Sequence, residues 1–407
     1  MFGLVDIGFG SHKTQNTNGT VSVKTSGIMD GSNAGSRLGF RGTEDLGGGL
    51  SASFTVEQGI SPTSADGFNK RVGSSGHQID GAGTYTMGNS RQAFLGLASK
   101  DLGSVRIGYQ YTNSYDLVAF NGLSPSEFQG GNFQNGSTLV AGATLSTHAN
   151  GSRANAITYI SNSMGGFTVK AQYGQGAGRQ TAESTLVASA AAAAGTAASA
   201  AGDTGTNGFL HNNNKYTSLM LQYAQGPIYA AVAYSKADIR TNPGTSVAVD
   251  PYGGILNSQP AAAAAAAPAA TAVNRASRSI NGYNLGASYD FGMAKVSYVG
   301  ANMQGPTGNL TGGLVVDSKV RADQFAVFVP VGAITLSAST GKAKRTTGAT
   351  VNNDVKGTYF GARYALSKRT TAYVLTGSEK DKAVTTASAN SANHKDSKTV
   401  MGVSHSF

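Results

Sequence analysis

Connections between strand-like segments in this chain alternate between two length classes. "SRLGFRGTE" passes through "DLGGG" into "LSASFTVEQG", and "RQAFLGLAS" through "KDLGS" into "VRIGYQYT". Short turns also join "ITYIS" to "FTVKAQYGQ", "SLMLQYA" to "IYAAVAYSK", "YNLGASYDF" to "AKVSYVGA", "QFAVFV" to "AITLSAS" and "YFGARYAL" to "TAYVLTGS". Gly, Pro or Asp stands at six of these seven turns, where a positive or preset φ is needed, and "SKRT" makes the seventh. Seven such hairpins plus the first and last segments make sixteen strands. Between them lie stretches rich in Asn, Gly, Ser, Thr and Ala, at about 11–32, 61–87, 114–152, 176–214, 240–278, 306–318, 345–356 and 382–397. A sandwich mixes connection lengths, because Greek-key crossings run among its hairpins. Tight turns at one end and long loops at the other describe a single all-β domain over 1–407, an antiparallel sixteen-stranded barrel.

Within each strand the side chains alternate. Phe167, Val169, Ala171 and Tyr173 share one face of "FTVKAQY", opposite Thr168, Lys170 and Gln172. A soluble barrel would alternate too, but sixteen strands enclose a space too wide for side chains to fill. The inside must then be wet and the apolar face must meet lipid. Tyr173, Tyr223, Tyr289, Phe291, Tyr364 and Tyr373 stand near strand ends, where aromatic girdles meet the membrane interfaces.

Composition excludes the main competitors. The longest apolar run, "AAAAAAAPAATAV", is broken by Pro268 and falls short of a membrane-spanning helix. Gly numbers 56 and Cys none, which leaves no disulfide framework and no thiolate metal site. The net charge of +10 is scattered singly, with no basic patch of the kind nucleic acid requires. The six His residues have no metal-ligand spacing, and neither a nucleophile elbow nor a phosphate loop occurs. No enzyme, metal or cofactor is therefore expected. Met1 abuts the first strand, as in a mature sequence given a new start. Two Ala-rich tracts, 184–202 and 258–273, fall in the loops 176–214 and 240–278, expected to be extracellular.

"SRLGFRGTEDLGGGL", "SRQAFLGLASKDLGSVRIGYQYT", "YALSKRTTAYV" and the closing "GVSHSF" resemble the trimeric general porins of β-proteobacteria. The resemblance spans the whole chain, strongest near both ends and weakest in the middle loops. It implies a homotrimer in the outer membrane, in contact with lipid and lipopolysaccharide. It also implies pairing of the first strand with the last, and Phe407 as a signal to the barrel-assembly machinery. In such porins the third long loop folds inward and narrows the pore. Here that is 114–152, where "PSEFQGG" is similar to the constriction motif and places Glu127, with Asp116, on an acidic side. The facing arginine ladder maps to Arg37, Arg91 and Arg153, while Tyr109 stands where many relatives carry Arg.

Strand parity gives an independent reading. Arg37 and Arg41 share a face opposite Leu38 and Phe40, and Glu57 lies opposite Phe54 and Val56. These three should point inward. Arg91 shares parity with Leu95 and Leu97, so a bulge or packing near the strand end must turn it. "RANAITYIS" runs one residue short of the family pattern, which leaves two facings open for Arg153. Lys295 and Arg363 read as solvated wall charges. The expected function is a water-filled channel passing small anionic or neutral hydrophilic solutes, with anions preferred. Its rivals are a channel for particular organic anions, and a surface adhesin or receptor barrel.

Overall fold

A computed structural model describes residues 1–16, 22–63, 90–120, 153–175, 215–240, 277–307, 316–347, 350–381 and 394–407. They form β1 (Phe2–Asn16), β2 (Ser22–Asp30), β3 (Arg37–Gly47), β4 (Leu50–Gly59), β5 (Ser90–Ser99), β6 (Gly103–Tyr111) and α1 (Asn113–Phe120). There follow β7 (Arg153–Ile160), β8 (Phe167–Gln175), β9 (Lys215–Gln225), β10 (Ile228–Arg240), β11 (Ser277–Asp290) and β12 (Lys295–Thr307). The last are β13 (Val316–Val331), β14 (Ile334–Thr347), β15 (Thr350–Ala365), β16 (Thr370–Asp381) and β17 (His394–Ser406). Adjacent strands pair antiparallel, and β1 pairs with β17, so the sheet closes.

Seventeen segments build sixteen staves. Both β2 and β3 lie against β1, the first opposite residues 7–15 and the second opposite residues 2–4. They are one stave interrupted at 31–36. The seven tight connections all fall at one end of the barrel. Two of the eight connections expected to be long are short, because β1 with β2 and β14 with β15 continue upward until only 17–21 and 348–349 separate them. Their polar stretches, such as "SHKTQN", looked like loop because neither face is apolar.

The burial pattern inverts that of a soluble protein. Phe9, Phe40, Leu95, Ile107, Phe325 and Met401 are exposed on one parity of their strands. Asp6, Glu57, Gln172, Ser218, Asn284 and Lys398 are buried on the other. Soluble folds bury the first set and expose the second, so the apolar parity is the lipid-facing exterior of a membrane barrel. Near the tight turns Phe167 meets Tyr223 at 4.8 Å between ring centroids, and Tyr289 meets Phe291 at 4.5 Å. Tyr364 is exposed beside the β15–β16 turn. Tyr373 does not join this girdle. It is 3% exposed on the inner face, where its hydroxyl donates to Asp6.

At the seam, Gly3 N–H donates to Phe407 O at 2.9 Å and Phe407 N–H to Gly3 O at 3.1 Å. The Phe407 ring covers Gly3 so closely that a Cβ there would stand 2.3 Å from Cζ and 2.9 Å from the Arg37 carbonyl, so a larger residue would have to displace the ring.

Helix α1 leaves the wall directly after β6. Thr112 caps it, accepting from Tyr115 N–H at Oγ1 (3.3 Å) and from Asp116 N–H at its carbonyl (3.0 Å). Leu117 is fully buried with Met220, Ala231, Ala233, Val299 and Ala326, all of inner parity. Ala231, Ala233 and Ala326 leave room there for a helix to dock inside the barrel, with Met220, Val299 and Tyr229 packed around Leu117. Asn113 Nδ2 donates to Lys170 O and Ser218 Oγ, both at 3.2 Å, and Ser114 Oγ meets Ser235 Oγ at 3.2 Å. Burying Leu117 stabilises this docking by about 2 kcal/mol. The remainder of the segment 114–152, including Glu127, lies outside the described residues, as do the Ala-rich tracts.

Candidate functional site

Three arginines from three strands meet at the interruption 31–36. Arg363 of β15 donates from Nε to Asn33 Oδ1 at 2.8 Å and from Nη1 to Ser337 Oγ at 3.1 Å. Arg37 of β3 reaches Gly35 O at 3.5 Å. Arg91 of β5 stands over the same glycine, its Nη1 3.0 Å from where a Cβ would be. Asp6 fixes the segment against the inner wall. Its Oδ2 accepts from Asn33 and Ala34 N–H at 3.0 and 2.7 Å, and its Oδ1 from Tyr373 OH at 2.5 Å. Gly31, at φ +60°, donates to Asp6 O, and that left-handed turn aims the chain inward. Asn33 also donates to Ser404 Oγ at 3.3 Å, so the interruption bridges β1, β15 and β17 across the lumen face.

The bulge that parity demands at Arg91 is present. Glu57 pairs with Gln92 and Gln58 with Ser90, which leaves Arg91 as the extra residue. A bulge re-aims the side chain it carries. Arg91 turns from the lipid side to pair through Nε with Glu57, and its Nη2 donates to Tyr111 OH at 2.8 Å. Tyr111 stacks on Tyr115 of α1, with centroids 4.5 Å apart and planes 14° from parallel. The Arg153 guanidinium lies over the Tyr111 ring at 5.0 Å, and its Nε is buried without a hydrogen-bond partner. Alternation alone would put Arg153 with exposed Ile157 and Tyr159. Its place at the first residue of β7, opposite Tyr111, brings it into the cluster instead. One turn into α1, Asp116 accepts from Lys170 Nζ at 3.2 Å.

The result is an arc along the inner wall from β15 to β8. Five basic groups (Arg37, Arg91, Arg153, Lys170 and Arg363) stand there with Asp6, Glu57 and Asp116, and Lys398 of β17, on the inner face, interacts with Asp6 and Asp30. Glu57 and Asp116 are taken up by ion pairs, and Asp6 by backbone N–H groups and Tyr373. The balance is positive beside a low-dielectric wall, which focuses the field. Arg41 lies outside the arc. It is four residues further along β3, about 13 Å at the strand rise, and its guanidinium rests 5.1 Å over Phe2. Tyr109 is half-buried on β6, two residues before Tyr111. Arg363 is corrected from a solvated wall charge to a member of the arc. Asp6, Asn33, Tyr111 and Tyr115 were not singled out from the sequence. The signal available was "DGSNAG", a turn-like string falling where a strand should continue.

A closed barrel with an apolar exterior, a polar interior and a helix docked within defines a transmembrane β-barrel of the outer-membrane type. The Gram-negative porin family profile matches residues 1–383, and the chain belongs to that family, in the outer membrane. Outer membrane porin protein 32 of Delftia acidovorans is 36% identical over 141 residues, 32% of each chain. The major outer membrane protein P.IB of Neisseria gonorrhoeae is 26% identical over 174 residues, 42% of each. The aligned stretches thus span less than half the length of these curated relatives. Among solved structures, the anion-selective porin from Comamonas acidovorans superposes with a TM-score of 0.62 at 22% identity, covering 100% of this chain and 98% of that one. At that identity the likeness concerns the fold.

Proposed function

We propose that the chain forms a water-filled channel through which small hydrophilic solutes diffuse, anions preferentially, with no bond made or broken. The observation that carries this reading is the arc, in which the carboxylates are engaged and the basic groups are in excess. An anion passing the wall meets guanidinium groups already held in place, so little side-chain ordering opposes the contact. The anion-selective character of the Comamonas porin supports the same sign. In this reading 114–152 narrows the pore with Glu127 across from Arg37, while 176–214 and 240–278 are extracellular. The working unit is a homotrimer. Phe407 is read by the barrel-assembly machinery, and outer-leaflet lipopolysaccharide contacts the exterior.

Reversal potential in a salt gradient across a planar bilayer tests the reading. The wild-type channel should favour anions, Arg37→Gln should lower the preference, and Glu127→Gln should raise it. A cation-selective wild type, or an Arg37→Gln pore with an unchanged potential, would sink the proposal.

A further inference from the structure

Four lysines on adjacent strands stand opposite one another on the outer wall. Lys342 of β14 is in register with Lys356 of β15, Lys356 with Lys380 of β16, and Lys380 with Lys395 of β17. All four are exposed. They share parity with exposed Leu336, Phe360, Val374 and Met401, so they point away from the lumen. Neighbouring strands lie about 4.8 Å apart, and like charges directly opposite destabilise a sheet. Among the described residues one carboxylate comes within ion-pair distance, Asp323, 3.8 Å from Lys342 at one end of the row. A row of unbalanced charge held on rigid staves needs a counter-charge from outside.

Two further features say what kind. Immediately toward the tight turns, a second row in register carries hydroxyls: Thr340, Thr358, Ser378 and Ser397. Two rows further, Leu336, Ala362, Val374 and Met401 lie in register and are apolar. Polarity thus falls from cation to hydroxyl to hydrocarbon. A depression lined by Phe325, Thr340, Lys342, Lys356, Thr358 and Lys380 crosses the first two rows. Height fits as well. The lysines stand about eight to eleven residues above the tight-turn end, roughly 25–35 Å along strands tilted near 40° and so about 20–28 Å above that end. The apolar band of such a barrel is about 25 Å tall, which puts the row at its upper margin.

We propose that Lys342, Lys356, Lys380 and Lys395, with the hydroxyl row beneath, bind the phosphorylated sugar headgroup of an outer-leaflet glycolipid whose acyl chains lie on the apolar rows. Charge complementarity selects the headgroup, and the polarity gradient selects an amphiphile over a free anion. This deepens the proposed lipopolysaccharide contact and rests on that reading.

The test is retention of bisphosphorylated lipid A by the detergent-solubilised full chain, measured by native mass spectrometry. Heat-modifiable gel mobility and single-channel conductance are recorded for the same samples. Wild type should retain the lipid. K342Q/K356Q/K380Q/K395Q should weaken retention by about a hundredfold, since each cation near an anionic lipid surface contributes appreciably. The corresponding four Lys→Arg changes should restore it, and Lys100→Gln with Lys368→Gln, exposed near the tight turns, should leave it intact. Dephosphorylated lipid A should bind both proteins equally weakly.

Equal retention by wild type and the four-glutamine variant would overturn the site while leaving the glycolipid partner standing. No retention by wild type would overturn both. Displacement by inorganic phosphate at matched concentration would make the row a free-anion site and refute the proposal. So would cross-linking of these lysines to a second copy of the chain. Conductance, read separately, reports on the channel itself.

Discussion

Between β1 and β7 the sheet is broken repeatedly, whereas from β8 to β13 its register runs without a shift. The first side carries the interruption at 31–36, the bulge at Arg91 and a register shift between Asp45 and Gly47. Gly108, at φ +136°, adds a fourth irregularity. The second side is a smooth ladder whose inner face is Ser218, Met220, Ala231, Ala233, Ser235 and Val299. Most of the functional charge gathers on the broken side, and the helix docks on the smooth one. Regular alternation sends every second side chain to lipid, so concentrating arginines at one level of the lumen requires places where alternation fails. A helix needs the opposite, a surface without steps.

The contrast can be broken at its most tightly held charge. Glu57→Ala leaves Arg91 buried without its carboxylate and should lower the barrel's unfolding free energy by about 3 kcal/mol. Asp116→Asn, whose carboxylate is 31% exposed, should cost under about 1 kcal/mol. Denaturant titration of the reconstituted protein reads both, and equal costs would show that the broken side is no more tightly coupled than the smooth one. On the smooth side Leu117→Ala should loosen α1 by about 2–3 kcal/mol, seen as greater open-channel noise with the barrel still folded.

Selectivity sharpens the comparison. Arg363→Gln and Arg91→Gln should each reduce anion preference in dilute salt, while Lys295→Gln, a wall lysine outside the arc, should change it less. The differences should shrink in 1 M salt, where the Debye length is about 3 Å. Equal shifts for all three would mean that total charge, not the arc, sets the preference. Thr112→Ala should have a small effect on α1, about 1 kcal/mol from the lost cap. It should appear as a mild increase in the same noise that Leu117→Ala raises strongly.

Period-two patterning made the smooth side legible. "YNLGASYDF" separates exposed Tyr283 and Leu285 from buried Asn284 and Ser288 in the structure as in the sequence. On the broken side it placed Arg37 and Glu57 on the inner face, and it flagged Arg91 as a conflict that only a bulge or end packing could resolve. It could not see which charges meet. Arg363 and Asn33 are 330 positions apart, and no local pattern encodes their contact. Helix α1 was invisible for a related reason. Eight residues hold too little periodicity to register, and their stability comes from the wall they dock on. The upper parts of β1 and β2 were missed because both faces there are polar.

The seam between β1 and β17 governs how such a molecule can come into being. It joins Gly3 to Phe407 and pairs thirteen further positions of β1 with β17. Contacts of such sequence separation cost the most loop entropy and form slowly. Until they form, any partial sheet presents two unsatisfied edges, which hydrocarbon penalises and which invite pairing with other chains. Insertion and closure are therefore one cooperative event, and the chain must be kept from its neighbours until its two outermost strands meet.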